Sequence, residues 1–151
     1  MKLAEALQER ADLNRRIEQL SSRLNSNVLV QEGEETLEIP EDLRRELDLA
    51  VERLEYLIAR INLTNAQVAV DGHTLTELIA QRDALMLRIR LYRSAVASAS
   101  QSTYRARGSE IRIKTAIPVK DWQCQVDAMA KQLRLLDNTL QESNWRTELI
   151  E

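Results

Sequence analysis

The sequence predicts an all-α fold with short β segments, in which four long helices form an elongated four-helix bundle. Three features of the 151 residues support this fold class. Glycine occurs three times, proline twice and phenylalanine not at all, while 30% of the residues are charged, which is typical of a helical protein with an aliphatic core. Apolar residues recur at three- and four-residue spacing in four segments. The same pattern occurs twice along the chain. It favours a single domain, 1–151, that is built from two pseudo-repeated halves, 1–72 and 73–151.

The first helix is predicted over residues 2–26 from a heptad pattern. Its core rows consist of Leu3, Ile17 and Leu24 on one side and Ala6, Leu13 and Leu20 on the other. Asn27 and Gly33 then interrupt the pattern, and the β-prone run Val28–Val30 predicts a short strand inside this first excursion.

The second helix is predicted from Pro40 to about Val68, because proline favours the first helical turn. Its core rows are Leu43, Leu47, Ala50, Leu54, Leu57 and Ile61. A tight turn at Asp71 and Gly72 follows and marks the boundary between the halves. Thr74 and Glu77 next have the spacing of a capping box that opens the third helix.

The third and fourth helices repeat this layout. The rows of the third helix are Leu75, Ile89 and Val96 on one side and Leu78, Leu85 and Tyr92 on the other. A second excursion contains the predicted strand Ile111–Ile113. Pro118 starts the fourth helix, with Trp122, Val126, Met129, Leu133, Leu136 and Leu140 in its core rows.

Two offsets relate the halves to each other. Residues 2–17 align with residues 74–89 at an offset of 72, and the second helix aligns with the fourth at an offset of 79. Duplication would bring Val28–Val30 and Ile111–Ile113 to the same end of the bundle. We therefore expect these two excursions to pair as a small β-ribbon, within one chain or between two.

Opposite charges flank the two excursions. The acidic 32–42 loop carries Glu32, Glu34, Glu35, Glu38, Glu41 and Asp42, and the basic 104–120 stretch carries Arg105, Arg107, Arg112 and Lys114 beside Tyr104. We expect the two stretches to neutralise each other at the strand cap. The alternatives are an acidic loop that is solvated, faces a partner or holds a divalent cation, and nucleic acid on the basic stretch.

Arg10 and Arg82 occupy corresponding positions in otherwise apolar rows. We expect their aliphatic stems to lie along the seam while their guanidinium groups reach solvent or a nearby carboxylate. The alternative is a buried ion pair, with Glu55 or Asp137 as partner, that fixes helix register or subunit number.

The remaining chemistry-bearing residues predict no reaction centre. His73 lies in a turn, Cys124 is expected to be an inert packing residue, and no phosphate loop or nucleophile elbow occurs, so we predict no catalytic, cofactor-binding or metal-binding residue and no enzyme. A net charge of −3 argues against nucleic-acid and anionic-membrane partners. A single cysteine, no secretion signal and no membrane-spanning segment lead us to expect a cytoplasmic protein.

Several apolar residues fall outside the two-row seams. They are Leu7, Ile58, Ile79, Leu87, Leu91 and Leu135. Because they widen the apolar stripes beyond what one thin bundle covers, we expect the chain to form a homo-oligomer.

Four segments carry a resemblance to a known family: ERADL at 9–13, VQEGE at 30–34, LTELIAQRDAL at 75–85 and NWRTEL at 144–149. Together they resemble a family of small uncharacterised bacterial helical proteins, some of which carry the label septicolysin. The resemblance implies a helical, oligomeric protein with no assigned activity. The label implies a pore-forming cytolysin, which stands as an alternative to a non-enzymatic structural or assembly protein.

Overall fold

The structure is a computed structural model that describes residues 1–101 and 113–151. Within these ranges the helices are α1 (Leu3–Asn27), α2 (Pro40–Gln67), α3 (Leu75–Ser100) and α4 (Val119–Arg146), and the strands are β1 (Ala69–Val70) and β2 (His73–Thr74). Helices of 25 to 28 residues beside two-residue strands confirm the predicted all-α fold with short β segments. The chain divides into two compact units: unit 1 is Met1–Thr74 with Ser143–Glu151, and unit 2 is Leu75–Glu142.

Unit 1 is built on the hairpin of α1 and α2. The backbone N–H of Lys2 donates to the Glu5 carboxylate at 2.7 Å and so closes the first turn of α1. Pro40 occupies the first turn of α2 as predicted, where its missing N–H costs nothing. The buried apolar residues of this hairpin are Leu3, Ala6, Leu20, Leu43, Ala50, Leu57 and Ile61. All of them belong to the rows that the sequence predicts.

A β-hairpin follows α2 in unit 1. Val70 pairs with His73 across a two-residue turn in which Asp71 and Gly72 both have positive φ, 51° and 84°. Positive φ at both central residues matches the twist of the flanking strands, and Asp-Gly tolerates it. The predicted turn is confirmed, and the two strands found among the described residues lie here.

The C-terminal segment completes unit 1. The N–H of Leu3 donates to the carbonyl oxygen of Thr147 at 2.9 Å, and the N–H of Leu149 donates to that of Met1 at 2.8 Å. These bonds frame an antiparallel bridge between Lys2 and Glu148. Leu149 is buried beside them, so the residues after α4 contribute to the core of unit 1.

Unit 2 is a second antiparallel helical hairpin. Leu85 and Ile89 of α3 pack with Val126 of α4, and Tyr92, Met129, Ala130 and Leu133 lie against this cluster. The rings of Tyr92 and Trp122 are 5.3 Å apart, which is within the usual range for aromatic pairs. Tyr92 meets Trp122 near the start of α4, whereas Leu85 lines a groove with Gln132 and Leu136 further along α4, so the two helices run in opposite directions.

The predicted strand at Val28–Val30 is wrong. These residues are exposed and irregular, with 88% of Leu29 accessible to solvent. Side-chain and turn bonds organise the connection instead: the Asn27 amide donates to the Arg23 carbonyl oxygen at 2.8 Å and accepts from the N–H of Glu38 at 3.0 Å. A turn at Gly33, whose φ is 85°, directs the chain back toward α2.

The expected partner strand, Ile111–Ile113, falls mainly outside the described residues, and the described Ile113 is exposed and irregular. The β-ribbon between the two excursions is therefore absent at Val28–Val30 and Ile113.

The expectation of a packed Cys124 is also wrong, because the residue is exposed. Cys124 lies two residues from both Trp122 and Val126 along α4. A two-residue step turns a helix by about 200°, so a residue between two core positions points away from the core.

Candidate functional site

A row of three ion pairs joins α1 to α2 and to the residue Glu38 just before α2, all in unit 1. Its members are Glu9 with Arg53, Arg16 with Glu46, and Arg23 with Glu38. On α1 the three positions are seven residues apart, and their partners, Arg53 and Glu46 on α2 and Glu38 just before α2, run in the reverse order along the chain. We call this set the ion-pair row, and its order is that of an antiparallel helix pair.

The strongest geometry in the ion-pair row belongs to Glu9 and Arg53. Nε and Nη2 of Arg53 donate to the two carboxylate oxygens of Glu9 at 2.7 and 2.9 Å, which is the bidentate arrangement that guanidinium favours. The hydrogen bond from Arg53 lowers the pKa of Glu9 and keeps its carboxylate charged. Arg23 likewise donates two bonds to Glu38 and lowers the pKa of that carboxyl group.

The ion-pair row explains what sequence reasoning missed on α1. The heptad places Leu3 and Ile17 in one core row and Ala6 in the other, so residues 9, 16 and 23 flank the seam, where charged residues pair between helices. That signal was present in the sequence. Their partners on α2 and in the connection before it are identified only by the observed register of the two helices.

Tyr56 of α2 sits between two arginines on the same helix. The guanidinium carbons of Arg53 and Arg60 lie 5.3 and 5.5 Å from the centroid of its ring, within the range of a cation–π contact. The buried Nε of Arg60 has no hydrogen-bond partner among the described residues. Stacking on Tyr56 supplies part of the stabilisation that this nitrogen lacks.

Of the two seam arginines, Arg82 follows the expectation of reaching a nearby carboxylate. Nε and Nη2 of Arg82 donate to Oδ1 of its neighbour Asp83 at 3.0 and 2.8 Å, on a side chain that is about one-third exposed. Arg10 is half-buried and makes no ion pair within unit 1. The alternative of a buried pair with Glu55 or Asp137 is wrong for Arg82, whose partner is Asp83, and Arg10 has no pair with Glu55.

Two carboxylates of the acidic 32–42 loop form ion pairs with arginines of α1 and α2. Within the acidic 32–42 loop, Glu38 pairs with Arg23, and Glu41 pairs with Arg44. Across residues 1–101 and 113–151, no group of three or more His, Cys, Asp or Glu side chains could hold a metal ion. Residues 102–112 of the basic 104–120 stretch lie outside the described residues, and the described Lys114 is exposed.

His73 is exposed at the start of β2, as the sequence predicts for a turn residue. Among the described residues, no helix is both long enough and apolar enough to cross a membrane.

An exposed surface of α3 in unit 2 presents large apolar side chains. Met86, Leu87 and Leu91 are 51%, 46% and 56% accessible to solvent. Asp83, Met86, Leu87 and Arg90 line a shallow depression of about 370 Å³. We call Asp83, Met86, Leu87, Arg90 and Leu91 the α3 patch, and no described residue of unit 2 covers it.

The α3 patch and the packed side of α3 occupy different faces of one helix. Leu78, Leu85 and Ile89 are buried, whereas the patch residues 83, 86, 87, 90 and 91 follow their own spacing of three and four. Leu87 and Leu91 were predicted to lie outside the seam, but Met86 and the two charged residues were not identified from the sequence. The signal for them is the second apolar stripe along α3.

The other residues predicted to lie outside the seams have mixed exposure. Ile58 and Leu135 are exposed, while Leu7 and Ile79 are half-buried. The exposure of Ile58 and Leu135 agrees with apolar stripes that are wider than a two-row seam. The partial burial of Leu7 and Ile79 agrees with such stripes less well.

Comparison with known proteins finds a family and a similar fold but no known activity. Residues 10–149 match the model of a family of unknown function, DUF6847. The chain is also similar to the crystal structure of a functionally unknown conserved protein from Corynebacterium diphtheriae, with 34% identity, a TM-score of 0.92 and 99% of each chain covered. No curated protein matches the chain. These matches confirm the resemblance to uncharacterised helical proteins, and neither description carries the septicolysin label.

Proposed function

Because the chain belongs to the DUF6847 family of unknown function, we propose its role from its own surfaces: a non-enzymatic helical assembly protein that associates with itself through apolar helix faces. The α3 patch is the observation that carries this proposal. Its three large apolar side chains are half exposed on a helix whose other side is packed. Contiguous exposed apolar surface of this kind marks interaction sites.

The size of the effect can be judged from burial. Fully burying a Leu or Met side chain contributes roughly 1.5–3 kcal/mol. Because Met86, Leu87 and Leu91 are about half exposed, burying the rest of each on association would contribute about 1 kcal/mol. Counted over both copies, the six side chains supply about 6 kcal/mol, which falls within the range of about 4–15 kcal/mol that it costs to bring two molecules together. The proposed assembly therefore needs further surface around the patch, and we expect micromolar rather than nanomolar association.

Corresponding grooves in the two hairpins support the proposed duplication of halves 1–72 and 73–151. Glu9, Leu13, Arg16 and Arg53 line a groove in unit 1. Gln81, Leu85, Arg88 and Gln132 line a groove in unit 2. The two sets correspond at the offsets of 72 and 79 found in the sequence. In the second set, glutamines stand where the first has the Glu9–Arg53 ion pair.

A paired strand cap is no part of the proposal, because Val28–Val30 is not a strand. The helix faces remain as the surfaces for assembly. A cytoplasmic location is proposed with them, on the basis of the single cysteine.

Light scattering behind a sizing column tests self-association. The chain has a mass of 17.4 kDa, and we expect about twice that mass at tens of micromolar, falling toward the monomer on dilution. A mass of one chain at every concentration up to about 100 μM would contradict the proposal. An assembly whose mass does not change on dilution would support self-association but contradict the expected micromolar affinity.

A further inference from the structure

We infer that the α3 patch is a two-fold interface between two copies of this chain, in which Asp83 of each copy pairs with Arg90 of the other. This inference rests on the proposed self-association and names the surface that carries it. The two α3 helices cross in opposite directions, with Met86 and Leu87 at the centre of the contact.

The spacing of the charges makes the α3 patch self-complementary. Asp83 and Arg90 are seven residues apart, which is about two turns, and the midpoint between them falls between Met86 and Leu87. A two-fold axis through that midpoint places an aspartate opposite an arginine at both ends of the contact. Such an interface is isologous, since each copy offers the same patch.

The same charges select the direction of the helices. If the two helices ran parallel, Asp83 would face Asp83 and Arg90 would face Arg90, and like charges placed opposite each other are repulsive. The antiparallel arrangement replaces both repulsions with attractions. A second copy therefore matches both charges of the patch. A partner surface of a single charge sign would match only one of them.

The two charged side chains at the ends of the α3 patch, Asp83 and Arg90, can form further hydrogen bonds and ion pairs. Both bonds from Arg82 end on Oδ1 of Asp83, and no donor among the described residues reaches Oδ2. Arg90 is exposed and forms no ion pair with a described residue. Between them, the depression of about 370 Å³ offers a seat for an apolar side chain of the other copy, Leu87 in this arrangement.

Charge reversal tests the pairing. Asp83→Arg alone or Arg90→Asp alone turns two attractions into two repulsions, and we expect each to weaken dimerisation at least about tenfold. The double variant Asp83→Arg/Arg90→Asp restores both pairs within a homodimer. An equimolar mixture of the two single variants also restores them, in a heterodimer that neither variant forms alone.

Arg88→Asp is the matched control, because it makes the same charge change at an exposed position on α3 outside the α3 patch. Masses are measured by sedimentation velocity for the parent, the single variants, the double variant, the mixture and the control. Thermal unfolding followed by circular dichroism checks that each variant folds. If a reversal variant unfolds, Asp83→Asn and Arg90→Gln are used instead, and each is expected to weaken the dimer severalfold.

The outcomes separate this inference from the proposed function. If the parent self-associates and the single variants do so equally well, the interface lies elsewhere and only the inference fails. If the single variants lose the dimer but neither the double variant nor the mixture recovers it, the Asp83–Arg90 pairing is wrong. A parent that stays monomeric overturns both. Loss in the single variants with recovery in the double variant and in the mixture supports both.

Discussion

Thr64 is the residue through which α2 holds the C-terminal segment of unit 1. It is fully buried, at 0% exposure. Its hydroxyl donates to the carbonyl oxygen of Arg60 at 2.8 Å and accepts from the N–H of Ile150 at 3.0 Å. One hydroxyl thus links a helix to a segment 86 residues further along the chain.

Thr64→Val keeps the shape of the side chain and removes the hydroxyl. The N–H of Ile150 is then left without its acceptor, and an unsatisfied buried donor costs about 1–3 kcal/mol. Ile150 is half-buried, so water can replace part of the lost bond. We therefore expect a loss of about 1–2 kcal/mol in the free energy of unfolding. The carbonyl oxygen of Arg60 loses only a second bond within the helix.

Urea unfolding and amide hydrogen exchange measure this effect. Thr64→Ser retains the hydroxyl and loses one methyl group, so it should cost about 1 kcal/mol while keeping the Ile150 amide protected. Thr64→Val should expose that amide to exchange. The two variants are thus close in stability and differ in the protection of one N–H.

Ser26→Ala is the control at an exposed site, where the hydroxyl donates to the Ser22 carbonyl oxygen at 3.0 Å. It should change stability by less than about 0.5 kcal/mol. A Thr64→Val variant that keeps both its stability and the protection of Ile150 would refute the reasoning.

Three further variants test the charges and the turn of unit 1. Glu9→Gln should cost no more than about 1 kcal/mol at pH 7, since both side chains of the Glu9–Arg53 pair are about a third or more exposed. Because Arg53 lowers the pKa of Glu9, the pair stabilises the fold above the pKa of Glu9 in the unfolded chain, and this contribution is lost as the pH falls below about 4. Urea unfolding at pH 7 and pH 3 measures it, and an equal loss at both pH values would argue against the pair. Gly72→Ala should cost about 1–2 kcal/mol through its positive φ alone, because nothing lies within 4 Å of the added Cβ. Asp71→Asn should be tolerated, since asparagine also adopts positive φ, and a Gly72→Ala variant that melts with the parent would contradict the observed turn.

The β-hairpin shows how far local sequence signals reach. Asp71 and Gly72 predict a tight turn because both tolerate positive φ, and that prediction is confirmed. The strands beside them have two residues each, which is too short for an alternating pattern to be recognised. The reverse error occurred at Val28–Val30, where β-prone residues have no partner strand and stay irregular.

The α1–α2 hairpin shows a signal that was available but incomplete. The heptad assigns Glu9, Arg16 and Arg23 to positions beside the seam, where interhelical pairs form. Their partners depend on how far the two helices slide along each other. That register is determined by the length of the connection and by Asn27, whose amide bonds both Arg23 and Glu38.

The sequence by itself determined the positions of the four helices, the residues of their core rows and the turn at Asp71 and Gly72. These properties depend on neighbours within a few residues: the helical period, proline in a first turn, and residues that tolerate positive φ. The tertiary structure alone decided which charges meet, as in the pair of Glu9 with Arg53, and where the C-terminal segment binds, as in the bond from Ile150 to Thr64. It also decided that Met86 remains exposed while Leu85 is buried. Each of these depends on residues far apart in the chain, because burial and pairing arise only when one helix lies against another.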